Sequence, residues 1–202
     1  MIAVPMRVAL ASIFILTGVG SAGGETRRLQ FEIEPIIILK CLEQVDYTLD
    51  TATLLAAGQG IPSFGAHART TGGTAHKIEA NFNAASVLND SEGTIVDIVV
   101  EDACSVRGLG RGEGFLVDVE AVSEGRLTNS RAGGVLRVTG AEGKPSYASR
   151  FTQRFSIPQN RISLDTPIRL DVRVSVDLQF ANGSGRYASP VDGVFSIEVS
   201  AP

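Results

Sequence analysis

The chain has 202 residues, with 18 Lys and Arg against 22 Asp and Glu, for a formal net charge of −4. The basic residues are scattered, and that balance excludes the electrostatic footprint of a nucleic-acid binder. Glycine is abundant at 22, aromatics are few and Trp is absent, a mixture that fits one turn-rich β domain with a proper core.

The first element is a leader. Arg7 gives a positive start, residues 8–19 are mostly apolar, and Gly20-Ser21-Ala22 offers small residues for a signal peptidase. The apolar run is about a dozen residues, short of the roughly 20 needed to span a bilayer. Residues 1–22 therefore read as an export signal rather than an anchor. The mature chain is expected to have no membrane span and to reside in the periplasm, at the cell surface or in a fimbrium.

Residues 23–34 form an N-terminal extension. After a Gly-rich lead-in, Leu29, Phe31 and Ile33 alternate with the polar Gln30, Glu32 and Glu34. This is the period of a strand with one apolar face. Pro35 interrupts it, and the dense apolar run IIIL follows, ending at Cys41. Residues 35–202 are expected to make the main domain.

Along that domain the dominant period is two. Short strands are predicted at VDYTL, AHKIEANF, TIVDIVV, FLVDVEAV, GVLRVTG and RFTQRFSI. The strongest instance is IRLDVRVSVDLQF, residues 168–180. There Ile168, Leu170, Val172, Val174, Val176, Leu178 and Phe180 alternate with polar residues, predicting a long strand with one face on a core and one in water. The last segment alternates again, with Phe195, Ile197 and Val199 apolar. Between the strands, AAGQGIPSFGA, RTTGGT, NDSEG, RGLGRGEG, NSRAGG, GAEGKPS and the Asn182-Gly183 pair read as turns. No amphipathic helix is convincing. The fold class expected is an all-β, immunoglobulin-like antiparallel sandwich, with a β-barrel as the alternative.

Cys41 and Cys104 are the only cysteines. In an exported chain two cysteines suggest one disulfide, which would close a long loop and contribute up to about 4 kcal/mol in the chain-entropy account.

The reactive inventory is thin. His67 and His76 are the only histidines and lie in loop-like sequence; with two cysteines they make a poor zinc set. No G-x-S-x-G elbow accompanies them. GLGRGEG repeats glycine at every second residue and precedes a strand, so it lacks the G-x-G-x-x-G spacing of a dinucleotide loop. Asp118 and Glu120 share a strand face that alternates with Val117 and Val119, which makes it a solvated face rather than a catalytic pair. DSEG at residues 90–93 is weighed as a calcium turn and read as a polar loop. The Asn89-Asp90-Ser91 and Asn182-Gly183-Ser184 triplets read the same way. No cofactor, metal or catalytic residue is assigned, and the protein is expected not to be an enzyme.

The two ends carry a resemblance. The opening LQFEIEPIIIL, alternating and then broken by a proline before a short apolar strand, resembles the start of chaperone–usher fimbrial subunits, closest to their alternate, colonisation-factor branch. The closing GSGRYASPVDGVFSIEVSAP resembles their ending, a G-x-Y turn leading into a last apolar strand. The resemblance covers mainly these ends, and the cysteine pair departs from that branch. It implies an immunoglobulin-like fold lacking one strand, completed by the extension of a neighbouring subunit and held open beforehand by a periplasmic chaperone. Leu29, Phe31 and Ile33 would then be the donor side chains, and Phe195, Ile197 and Val199 would edge the acceptor groove. Partners would be other copies or sister subunits, a chaperone and an usher. The alternatives are a self-contained secreted or periplasmic β-sandwich binding module and, more remotely, a secreted hydrolase.

Overall fold

The computed structural model describes residues 36–46, 63–64, 69–82, 95–109, 114–122, 125–131, 133–181, 185–189 and 193–201. All fall within one compact unit, Glu34–Pro202. The leader, the extension with Leu29, Phe31 and Ile33, His67, the DSEG turn and both Asn-x-Ser triplets lie outside the described residues.

The described chain is antiparallel β throughout. Its strands are β1 (Ile36–Cys41), β2 (Gln44–Asp46), β3 (Ser63–Phe64), β4 (Arg69–Thr71), β5 (Lys77–Phe82), β6 (Ile95–Leu109), β7 (Phe115–Ala121), β8 (Arg126–Thr128), β9 (Val135–Pro145), β10 (Arg154–Ile157), β11 (Ile168–Asp177) and β12 (Phe195–Ser200), with one 3-10 turn at Gln159–Arg161. Seven strands form the main sheet in the order β3-β5-β6-β11-β9-β8, with β1 added beside β6. A second sheet runs β10-β7-β12, and β2 pairs β4. The sheets share one core. Cys104, Val106, Leu170 and Ala141 of the first sheet pack with Phe115, Val117, Val119 and Ile157 of the second. A second cluster, with Ile78, Val100, Val172, Val174 and Val176, extends the core along the first sheet.

Strand β6 organises the fold. At 15 residues it is far longer than TIVDIVV suggests, and it takes two partners in turn on one edge. Its first half pairs β5, from Val96↔Phe82 to Glu101↔Lys77. Its second half pairs β1, from Cys104↔Cys41 to Leu109↔Ile36. On the other edge β11 runs past both halves, but its register jumps from Val172↔Val100 to Leu170↔Cys104. Glu101, Asp102 and Ala103 thus oppose the single residue Asp171. Such a bulge bends a strand and tightens its twist, here at the point where β6 changes partner. Asp102 takes a positive φ of 59°, a left-handed conformation that Asp tolerates better than most residues.

Several sequence readings are corrected. Of the segments read as turns, AAGQGIPSFGA contains β3 and RTTGGT opens with β4. GAEGKPS is not a turn: Gly140 to Pro145 continue β9 and pair β11. Small residues are needed there because the second sheet comes close; a Cβ on Gly143 would stand 2.8 Å from Val119 Cγ2. The RGLGRGEG segment is partly strand, since β6 continues to Leu109. A Cβ on Gly108 would fall 2.1 Å from the Ile36 carbonyl oxygen, so glycine lets β1 lie against β6. Finally, β11 stops at Asp177 rather than continuing to Phe180, and Asp171, expected in water, is only 4% exposed.

Candidate functional site

Two features stand out, and the first is a pair of strand edges. β1 pairs only β6 and β12 pairs only β7 among the described residues. The two strands lie close to one another without a ladder between them, and they flank the same core: Ile37 and Cys41 from β1, and Phe195, Ile197 and Val199 from β12, pack on one buried cluster. Neither row is sealed. β12 alternates half-buried and exposed residues along its length, whereas Val117 and Val119 on the adjoining β7 are fully buried. On β1, Ile36, Ile38 and Leu39 are exposed at 41%, 50% and 37%. Exposed apolar residues on an unpaired edge are what soluble β proteins ordinarily avoid.

β1 is fixed at one end. Cys41 and Cys104 face each other directly in the register and are joined by a disulfide that closes 63 residues of sequence, with their Cα atoms 4.0 Å apart.

The second feature is a cleft of about 320 Å³ on the outer face of the main sheet. Sequence alternation places the side chains of β5, β6, β11 and β9 in cross-strand rows. In one row Lys77 faces Glu101, and Asp171 faces Lys144. In the next Glu79, Val99, Arg173 and Glu142 lie abreast. In the third Asn81, Asp97 and Ser175 do. Ion pairs tie the groups together, two within rows and one between rows. Lys144 Nζ donates to Asp171 Oδ2 at 2.7 Å, Arg173 Nε donates to Glu142 Oε2 at 3.0 Å, and Lys77 pairs with Glu79. The Ser175 hydroxyl donates to Asp97 Oδ1 at 2.5 Å. Phe151, from the connection after β9, stands over Lys144 at 5.2 Å and Arg173 at 5.0 Å.

Asp171 links the cleft to the bulge. Its Oδ1 accepts the Asp102 backbone N–H at 2.9 Å while its Oδ2 holds Lys144. Asp102 in turn pairs with Arg169 through its own carboxylate. A buried carboxylate thus satisfies a backbone donor that the bulge removes from the ladder, which explains its burial. The alternation of residues 168–177 put Asp171 and Arg173 on one polar face; nothing local showed that the face would be lined by charged neighbours from β5, β6 and β9.

The other acids behave as surface groups. Asp118 makes a two-pronged pair with Arg154, Nε to Oδ1 at 2.5 Å and Nη2 to Oδ2 at 3.2 Å. That bond and the negative charge raise the already high pKa of the exposed Arg154. Glu120 is exposed, as is His76, just before β5. Desolvation raises the Tyr147 phenol above its usual value against the opposing charge of Arg161, whose guanidinium lies 4.3 Å from the ring centre. No helix among the described residues is long and apolar enough to cross a membrane. No family model, curated protein or solved structure matches this chain.

Proposed function

We propose that the protein is an exported, non-catalytic structural or adhesive surface subunit that assembles by strand donation. The observation that carries this reading is the pair of unsealed edges, β1 and β12, flanking one core. A strand laid along either edge would find unpaired backbone groups beside it and apolar side chains beneath, the physics of β-augmentation. Leu29, Phe31 and Ile33 of a neighbouring copy or sister subunit are the proposed occupant. Each apolar side chain so buried contributes about 1.5–3 kcal/mol, enough in sum for a durable joint. Phe195, Ile197 and Val199 would edge the groove, and before assembly the same edges would be the contact surface for a periplasmic chaperone and the outer-membrane usher.

The test is to purify the mature protein with and without residues 23–34. The full mature chain should form concentration-dependent oligomers by light scattering. The shortened chain should remain monomeric and recover thermal stability when a synthetic peptide of residues 23–34 is added. A shortened chain that is already a stable monomer and never takes up the peptide would rule strand donation out. The second reading, a self-contained secreted binding module, is favoured by the cleft on the main sheet.

A further inference from the structure

We infer that the strand from a neighbouring copy is received on β1 rather than on β12, and that Lys40 and Arg107 make the choice by meeting Glu32 of the incoming strand. The choice rests on strand donation and adds to it which of the two open edges takes the strand.

Side-chain parity comes first. Cys104 and Val106 are buried, so their partners Cys41 and Leu39 on β1 turn toward the core, together with Ile37. Ile36, Ile38 and Lys40 then turn outward. On β12 Phe195, Ile197 and Val199 pack on the core, and the exposed Ser196, Glu198 and Ser200 turn outward.

The two outward rows carry opposite charge. Lys40 stands abreast of Ser105 and Arg169, and Ile38 abreast of Arg107. Arg169 is matched by Asp102. Lys40 and Arg107 are exposed and pair with no carboxylate among the described residues. On the other edge Glu198 stands abreast of Asp118, and Ser196 abreast of Glu120. Asp118 is matched by Arg154, which leaves Glu198 and Glu120. The β1 face therefore has cations in excess, and the β12 face has carboxylates.

The incoming strand distinguishes these faces. With Leu29, Phe31 and Ile33 turned inward, Gln30, Glu32 and Glu34 face outward. Laid along Ile37, Leu39 and Cys41, a parallel strand sets Glu32 abreast of Lys40. An antiparallel one sets it abreast of Ile38, in line with Arg107. Laid along Phe195, Ile197 and Val199, a parallel strand sets Glu32 abreast of Glu198. An antiparallel one sets it abreast of Ser196, in line with Glu120. In both directions Glu32 meets cations on β1 and carboxylates on β12. A register that set Arg28 against Glu198 would carry Ile33 past the end of β12, which spans Phe195–Ser200, and lose that apolar contact. Opposite charges on neighbouring strands attract and like charges repel. Affinity thus comes from the apolar row common to both edges, and selection from the outer row.

The experiment uses the mature full chain, which carries both the donated strand and the receiving edge. Self-association is measured by sedimentation at low salt, where surface charges are least screened. Glu32→Lys alone should weaken association by about two- to tenfold, and so should Lys40→Glu combined with Arg107→Glu. A chain carrying all three reversals should recover association. Glu198→Lys should leave it unchanged. Lys40, Arg107 and Glu198 are exposed, and unchanged far-UV circular dichroism would show that the fold is kept. No recovery in the triple variant, or an effect of Glu198→Lys as large as that of the β1 reversals, would overturn the choice of β1 and leave strand donation standing. A wild-type mature chain that stays monomeric at every concentration would overturn both.

Discussion

The two halves of β6 are held in different ways. Residues 95–101 lie between β5 and β11 in a regular ladder, with an apolar inner face and an outer face of Asp97, Val99 and Glu101 beside the Arg173–Glu142 pair of the neighbouring strands. Residues 103–109 have β1 on one side and only the start of β11 on the other. There β1 supplies a ladder of its own, reinforced covalently through Cys41 and Cys104 and made possible by the missing side chain of Gly108. One strand thus serves two environments, one flanked by ladders along its length on both edges and the other by one full ladder and a disulfide. The bulge at Asp102 lets it turn between them.

Substitutions can separate these contributions. The largest effect is expected at the junction. Asp171→Ala leaves Lys144 and the Asp102 N–H without their partner, and the loss of one member of a buried pair costs about 3–5 kcal/mol. Chemical denaturation should show a correspondingly lower midpoint. If Asp171→Ala melts with the wild type, the bulge is not braced from β11. The fastening of the second half comes next. Cys41→Ser with Cys104→Ser should lose about 2–4 kcal/mol, and hydrogen exchange should rise first in β1 while β5 stays protected. Uniform loss of protection would show that the halves are one cooperative unit. The smallest effect belongs to the outer face of the first half. Arg173→Met removes a half-exposed pair with Glu142 and should cost below about 1 kcal/mol. A larger loss would mean that the outer charges, rather than the inner valines, hold that half.

The sequence displayed some of this arrangement and concealed the rest. Strict alternation marked β7, β11 and β12 because each has one face on the core and one outward, and a period of two cannot be confused with a helix. β9 was hidden at Gly140–Pro145, since glycine and proline ordinarily signal turns; Gly143 is there because the opposite sheet, at Val119, leaves no room for a side chain. The bulge was hidden too. It depends on a carboxylate 69 positions away in sequence accepting the Asp102 N–H, and local pattern carries no trace of that pairing. The cleft was half visible: residues 168–177 named one strand's contribution, but the rows of charge exist only once register brings β5, β6, β9 and β11 side by side.

The position of the disulfide has a mechanical meaning. β1 runs antiparallel to β6, with Ile36 opposite Leu109 and Cys41 opposite Cys104. A pull on the chain ahead of Ile36 would unzip β1 from its free end and meet the bridge last. The chain that peels away before that stop is about 17 Å long, the five residues ahead of Cys41 at 3.3–3.6 Å each. Tension beyond it would pass straight into the central strand, and the 63-residue span closed by the bridge would stay out of the load path.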